Sequence, residues 1–225
     1  MPGPTTSLPD FSRLDAAIVD LDGTLVDTLG DFVAALTGML DAMGLPPVTP
    51  GEVGTMVGKG SEHLIRSVLR RVGAAADRYG EAWTLYQQHY EAANGRHSRL
   101  YPGVAEGLQA LRERGLRLAC LTNKPRAFAR PLLQAKGLDG YFAQVFGGDD
   151  FARKKPDPLP LLKTCEALGA LPARTLMIGD SSNDAQAARA AGCPVLLVTY
   201  GYNHGQPVRG VDADGFIDTL AELAA

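Results

Sequence analysis

Val19-Asp20-Leu21-Asp22-Gly23-Thr24-Leu25-Val26-Asp27 follows directly on the apolar run Ala16 to Val19. A short unbroken run of that kind is expected for a strand buried on both faces of a parallel sheet. Two carboxylates then emerge where the strand ends, and ligands of an open α/β sheet sit at the carboxyl ends of its strands. Gly23 permits a tight turn and close approach of backbone N–H groups to an anion, and Thr24 adds a hydroxyl to hold the turn. Asp20 and Asp22 are also residues that start a turn with no chemistry attached. The later strand ends decide between the two.

Outward from this stretch, the pattern changes to helical periodicity. Phe32, Leu36, Met39 and Met43 share one helical face, and Gly44 with Pro46 closes the segment. Leu64, Ile65, Val68, Leu69 and Val72 form a second stripe, with Ser61 as the expected N-cap and Gly73 as the stop. Tyr79, Trp83, Tyr86 and Tyr90 form a third, expected to be a bundle core rather than a ligand-stacking face. From Tyr101-Pro102-Gly103 the rhythm becomes helix and strand in alternation. Leu116 to Leu121, Gln144 to Phe146, Thr175 to Ile178 and Val195 to Val198 are short apolar runs between helical segments such as Val104 to Arg114. That alternation predicts a doubly wound parallel α/β sheet carrying an inserted all-helical module. The expected organisation is a flexible leader over 1–13, a core of 14–27 and 100–225, and a helical cap over 28–99.

Composition narrows the function. At 225 residues, 45% hydrophobic and 21% charged, the chain has the make-up of a globular protein with a sizeable core. A formal net charge of -3 supplies no basic face for nucleic acid or an anionic membrane, and no apolar run is long enough to span a bilayer. Residues 1–13 lack the basic and apolar regions of a signal peptide, and three cysteines without zinc spacing suit a reducing compartment. A cytoplasmic protein is expected. Four histidines are scattered without a metal-binding pair.

Successive strands end in different polar equipment, as an active site on one sheet edge requires. Thr122-Asn123 offers a hydroxyl, an amide and backbone N–H groups suited to a phosphate oxygen, although the same pair makes a routine helix cap. Arg153-Lys154-Lys155-Pro156-Asp157-Pro158 presents a lysine beside a proline-fixed turn, either to meet a phosphoryl group or as a solvated basic turn. Asp180-Ser181-Ser182-Asn183-Asp184 brings two more carboxylates. Four acids on one edge would repel by about 4 kcal/mol per close pair at an effective dielectric near 20. A hard divalent cation relieves that, and all-oxygen ligation favours Mg2+ over zinc.

Asp20-x-Asp22-Gly23-Thr24-Leu25-Val26-Asp27, Thr122, Lys155 before Pro156-Asp157-Pro158, and Asp180 with Asp184 together resemble the four motifs of the haloacid dehalogenase superfamily of phosphatases. The resemblance covers essentially the chain from Ala16 to the last helix. It implies Asp20 as the nucleophile that becomes an aspartyl-phosphate, and Asp22 as the acid that protonates the leaving alkoxide and then activates water. It implies Asp20, the Asp22 backbone carbonyl and Asp180 as Mg2+ ligands, and Lys155 rather than Lys154 as the catalytic lysine. Thr122 and Asn123 would bind the phosphoryl oxygens, and Asp184 would orient Lys155 or metal-bound water. Dehalogenases and phosphonatases lack the second aspartate, so Asp22 favours a phosphate ester.

Val57-Gly58-Lys59-Gly60, Gly147-Gly148-Asp149-Asp150 and the Thr199 to Gly205 loop are together similar to bacterial phosphoglycolate phosphatases, with departures at Lys59 and His204. That similarity implies hydrolysis of 2-phosphoglycolate. Gly58-Lys59-Gly60 itself reads as a cap loop that reaches the substrate, with Lys59 pairing a second anionic group. An N-acetylmuramic acid 6-phosphate or other sugar-phosphate phosphatase, a phosphomutase, and a non-catalytic binding protein on the same fold stay open. The expected partner is a small phosphorylated metabolite, met by a monomer or homodimer.

Overall fold

The computed structural model describes residues 9–224. Most of the expected leader lies outside them, but Phe11–Arg13 forms a 3-10 turn capped by Asp10, and Phe11 packs against the main core. Six strands form one parallel sheet: β1 (Ala16–Val19), β4 (Arg117–Leu121), β5 (Gln144–Phe146), β6 (Thr175–Gly179), β7 (Val195–Val198) and β8 (Gly215–Ile217). Their order is β5-β4-β1-β6-β7-β8, so the strand carrying the opening motif lies inside the sheet. Ala16 pairs with Arg117 of β4 on one side and Thr175 of β6 on the other. β8 carries no apolar run long enough to stand out, and it was legible only once paired with β7.

Period-two alternation divides the β1 side chains between two cores. Ala17 and Val19 join a cluster with α5 (Val104–Glu113) and α6 (Arg126–Ala135), while Ala16 and Ile18 join one with α7 (Leu159–Leu168) and α8 (Ser182–Ala191). A third cluster belongs to the helices between β1 and β4: α1 (Leu29–Met43), α2 (Pro50–Met56), α3 (Ser61–Arg71) and α4 (Tyr79–Ala93). Where the chain leaves and re-enters the sheet layer, β2 (Val26–Asp27) and β3 (Arg99–Leu100) pair antiparallel.

Three local details differ from the sequence expectations. Gly60, not Ser61, is the N-cap of α3, because a φ of 86° is needed there and only glycine adopts it without strain. Trp83 is 36% exposed while Tyr86 and Tyr90 are fully buried, so the aromatic row is a core at its C-terminal half only. α2 is too short for periodicity to reveal it; its signal is the Thr49/Glu52 capping box around Pro50.

The two layers interlock. Phe128 of α6 packs edge-on against Tyr90 of the bundle, with ring centroids 4.9 Å apart. The buried Asp31 carboxylate of α1 accepts from the backbone N–H groups of Gly95 at 2.9 Å and His97 at 2.7 Å.

Candidate active site

The carboxyl ends of β1, β4 and β6 converge, as the parallel register requires. One carboxylate oxygen each from Asp20, Asp180 and Asp184 lies within 4.8 Å of the others, and all three residues are buried. Lys155 reaches into this group from the turn before α7. Its Nζ lies 2.9 Å from Asp20 Oδ1, 2.7 Å from Asp184 Oδ1 and 2.8 Å from the Leu121 carbonyl oxygen. An ammonium has three donors, and these three contacts account for them. Lys154, the neighbour rejected on resemblance, is exposed.

Charge and burial set the protonation behaviour. Burial pushes the Asp20 carboxyl up to about 7; Lys155 opposes that shift, and the negative charges of Asp184 and Asp22 add to it. Asp180 is raised well above the carboxylate range, first by burial and then by Asp184 and Asp20. Burial disfavours the Lys155 ammonium, yet Asp184 and Asp20 more than offset this and the net shift is upward. Clustered buried carboxylates held against their preferred ionisation are what a divalent cation relieves, so this donor set fits one.

Each acid is locally fixed. Asp184 Oδ2 accepts from the Ser181 hydroxyl at 2.8 Å and from the Ser181 N–H at 3.2 Å, while its Oδ1 holds Lys155. Asp180 Oδ2 accepts from the Tyr202 N–H at 2.5 Å. It lies so close to Gly23 and Gly201 that a Cβ at either would collide with it; Gly23 in addition has a φ of 88°.

Asp22 stands apart from the trio. Its Oδ1 accepts from Lys124 Nζ at 2.7 Å, and both side chains are almost fully buried. Lys124 is the functional residue that sequence reasoning missed. It follows Thr122-Asn123 directly, but a lysine opening a turn carries no local signal of a partner 102 positions away.

Thr122 and Asn123 arrive at the same edge with their side chains partly spent. Thr122 Oγ1 accepts from the Lys124 N–H at 3.1 Å, leaving its own proton to donate. The Asn123 side chain donates to the Lys155 carbonyl at 2.9 Å and the Gly58 carbonyl at 3.0 Å, and accepts from the Lys155 N–H at 3.0 Å. Asn183 Nδ2 also donates to Gly58, at 3.1 Å. One carbonyl of the helical layer is thus gripped by two amides of the sheet layer.

A cleft between the layers is lined by Asp20, Asp22, Thr122, Asn123 and Lys124 from the sheet edge, and by Phe32, Val57, Gly58, Gly60, Ser61, Leu64 and Tyr90 from the helices. Lys59 differs from expectation. Its side chain is exposed and outside this lining, and Gly58 and Gly60 on either side of it form the wall instead. Its charge is felt by His204, which is held below the ordinary histidine value by burial first, then by Lys59 and His63.

A parallel sheet with these four strand-end motifs, one helical layer covering the acids, defines a class of hydrolase. Residues 14–192 match the model of the haloacid dehalogenase-like hydrolases. The chain belongs to that family. It is 45% identical over 94% of both chains to a phosphoglycolate phosphatase of Thiobacillus denitrificans, and 43% identical to the plasmid phosphoglycolate phosphatase of Cupriavidus necator, over 98% of this chain and 94% of that one. Among solved structures, a predicted phosphoglycolate phosphatase from Haemophilus somnus superposes with a TM-score of 0.89 at 33% identity, covering 94% of this chain and 96% of that one. No helix among the described residues is long and apolar enough to cross a membrane.

Proposed function

We propose that this chain is a Mg2+-dependent phosphomonoesterase that hydrolyses 2-phosphoglycolate to glycolate and phosphate through an aspartyl-phosphate on Asp20. The observation that carries it is Lys155 bridging Asp20 and Asp184 within the buried acidic trio, beside an Asp22 that belongs to a separate ion pair. Relatives named phosphoglycolate phosphatase over nearly the whole chain support the substrate.

In this reading Asp20, Asp180 and the Asp22 backbone carbonyl would hold Mg2+, which would supply positive charge to offset the crowded carboxylates and the charge on the phosphoryl group. Asp20 attacks phosphorus as the ester P–O bond breaks, and Asp22 gives its proton to the departing oxygen. Asp22 then takes a proton from water, which attacks the phosphorus and releases the Asp20 carboxylate. Lys155 has no donor left for the phosphoryl group, so its part is to aim the attacking carboxylate. Thr122 meets the phosphoryl oxygens with its hydroxyl; Asn123 has only its backbone N–H to offer, its side chain holding the Lys155 loop. Asp184 fixes Lys155. Residues 28–99 act as a cap domain that excludes water during the first transfer, and the free buried thiols suit a cytoplasmic setting.

Phosphate release with Mg2+ over a panel of 2-phosphoglycolate, N-acetylmuramic acid 6-phosphate and hexose phosphates tests the reading. The largest kcat/KM is expected for 2-phosphoglycolate; a hexose phosphate at the top of the panel, or isomerisation without phosphate release, overturns it.

A further inference from the structure

The cleft contains one cation that the hydrolytic chemistry leaves unassigned. Among the described residues, Lys124 is the single positively charged side chain lining it. Lys124 is 4% exposed, and its ammonium donates to Asp22 at 2.7 Å and lies 4.6 Å from the Phe32 ring centre and 4.9 Å from that of Tyr90. Ring faces stabilise a cation without consuming its hydrogen-bond donors in the way a carboxylate does. With three donors and one carboxylate partner, the ammonium keeps capacity for a second anion.

We infer that Lys124 binds a carboxylate carried on the leaving group of the substrate, and so selects short carboxylated phosphoesters. This rests on Asp22 as the group that protonates the leaving oxygen. A proton donor touches that oxygen, and in a phosphorylated 2-hydroxy acid the carboxylate carbon is two bonds beyond it. An ammonium one hydrogen bond from Asp22 is therefore within reach of that carboxylate. Two further features of the cleft suit an anion there. The Tyr90 hydroxyl is fully buried with no hydrogen-bond partner, and the N-terminal end of α3, whose Gly60 cap offers no side-chain acceptor, lines the same wall. Phe32, Val57 and Leu64 offer nothing to the hydroxyls of a sugar lying against them, which would lose water there without gaining a partner. The exposed Lys59 has no part in this selection.

The test compares wild type with Lys124→Met on 2-phosphoglycolate and on ethyl phosphate, which has the same leaving-group skeleton without the carboxylate. Losing a charge-assisted hydrogen bond should lower the ratio of the two kcat/KM values by about 10- to 150-fold, mainly through KM for 2-phosphoglycolate. If both substrates lose in equal proportion, Lys124 serves Asp22 alone and the inference falls while the phosphatase reading stands. If wild type releases phosphate from neither ester, the underlying reading falls as well. Should the variant not fold, wild type decides: glycolate inhibiting p-nitrophenyl phosphate hydrolysis far better than glycolamide supports the carboxylate subsite, and equal inhibition overturns it.

Discussion

The two layers that face each other across the cleft are built from opposite materials. The sheet edge concentrates Asp20, Asp22, Asp180, Asp184, Lys124 and Lys155, all buried. The helical layer brings rings, aliphatic side chains and small residues to the same space, through Phe32, Val57, Leu64, Tyr90, Gly58, Gly60 and Ser61. Buried charges are tolerated on the first side because three strands and two helix starts fix each of them within a network of partners. The second side needs no such support, since it removes water and shapes the opening. Charge is thus concentrated on the sheet side of the cleft, and apolar surface on the side joined to it by two crossings.

The largest break in that division is expected from Asp20→Asn. Phosphate release should fall by more than about 10³-fold, while the melting temperature at neutral pH stays level or rises, because a crowded buried charge has been removed. Appreciable turnover in a well-folded variant would move the nucleophile elsewhere.

A pH series with and without Mg2+ sharpens the electrostatic half of the comparison. Without metal, the raised Asp20 carboxyl binds its proton more tightly in the folded protein than in the unfolded chain. Its contribution to stability is complete below the ordinary value of 3.8 and is lost as the pH climbs through about 7, with Asp180 acting in the same direction. Added Mg2+ should therefore raise the melting temperature by several degrees more at about pH 8 than at about pH 5. An equal gain at both would show that Asp20 and Asp180 do not hold the ion.

Smaller effects probe the contact between the halves. Asn183→Ala removes one of the two amides on the Gly58 carbonyl. A single neutral hydrogen bond of about 0.5–1.5 kcal/mol corresponds to a rise in KM of about 2- to 13-fold with kcat held; a fall in kcat at constant KM would place Asn183 in the chemistry instead. Smallest of all should be Lys59→Ala. An exposed side chain outside the cleft lining should move KM for 2-phosphoglycolate by no more than about twofold, and a tenfold loss would return it to the role its place in the loop first suggested.

The same contrast explains what the amino-acid sequence disclosed. Strand ends are local signals: each apolar run stops at a polar cluster, so Asp20, Thr122, Lys155 and Asp180 stood out as candidates, each with a plain turn or cap reading beside it. Only their succession along the chain and the family resemblance gave them roles, while the parallel sheet that gathers them followed from the alternation of elements. Pairings between distant turns have no such signature. Lys124 and Asp22 meet only because β4 lies beside β1, and the Asn123 and Asn183 side chains turn to Gly58 only once the helices are docked. Lys59 misled for the complementary reason. A lysine between two glycines marks a loop near the substrate, but which way the side chain leaves that loop depends on the φ of 108° at Gly58 and 86° at Gly60. Composition and spacing carry no information about either angle.

Asp31 has a consequence for how substrate gains entry. Its carboxylate, rooted in the first turn of α1, holds the returning chain at Gly95 and His97, and Lys136 of the sheet layer grips the same return through the carbonyls of Gly95 and Ser98. Outgoing and incoming crossings are thereby fastened to one another at their base. Any opening of the cleft by the four helices would have to pivot about that knot as a single leaf, and a cut in the Gly44 to Thr49 connection would leave the leaf attached along both of its edges.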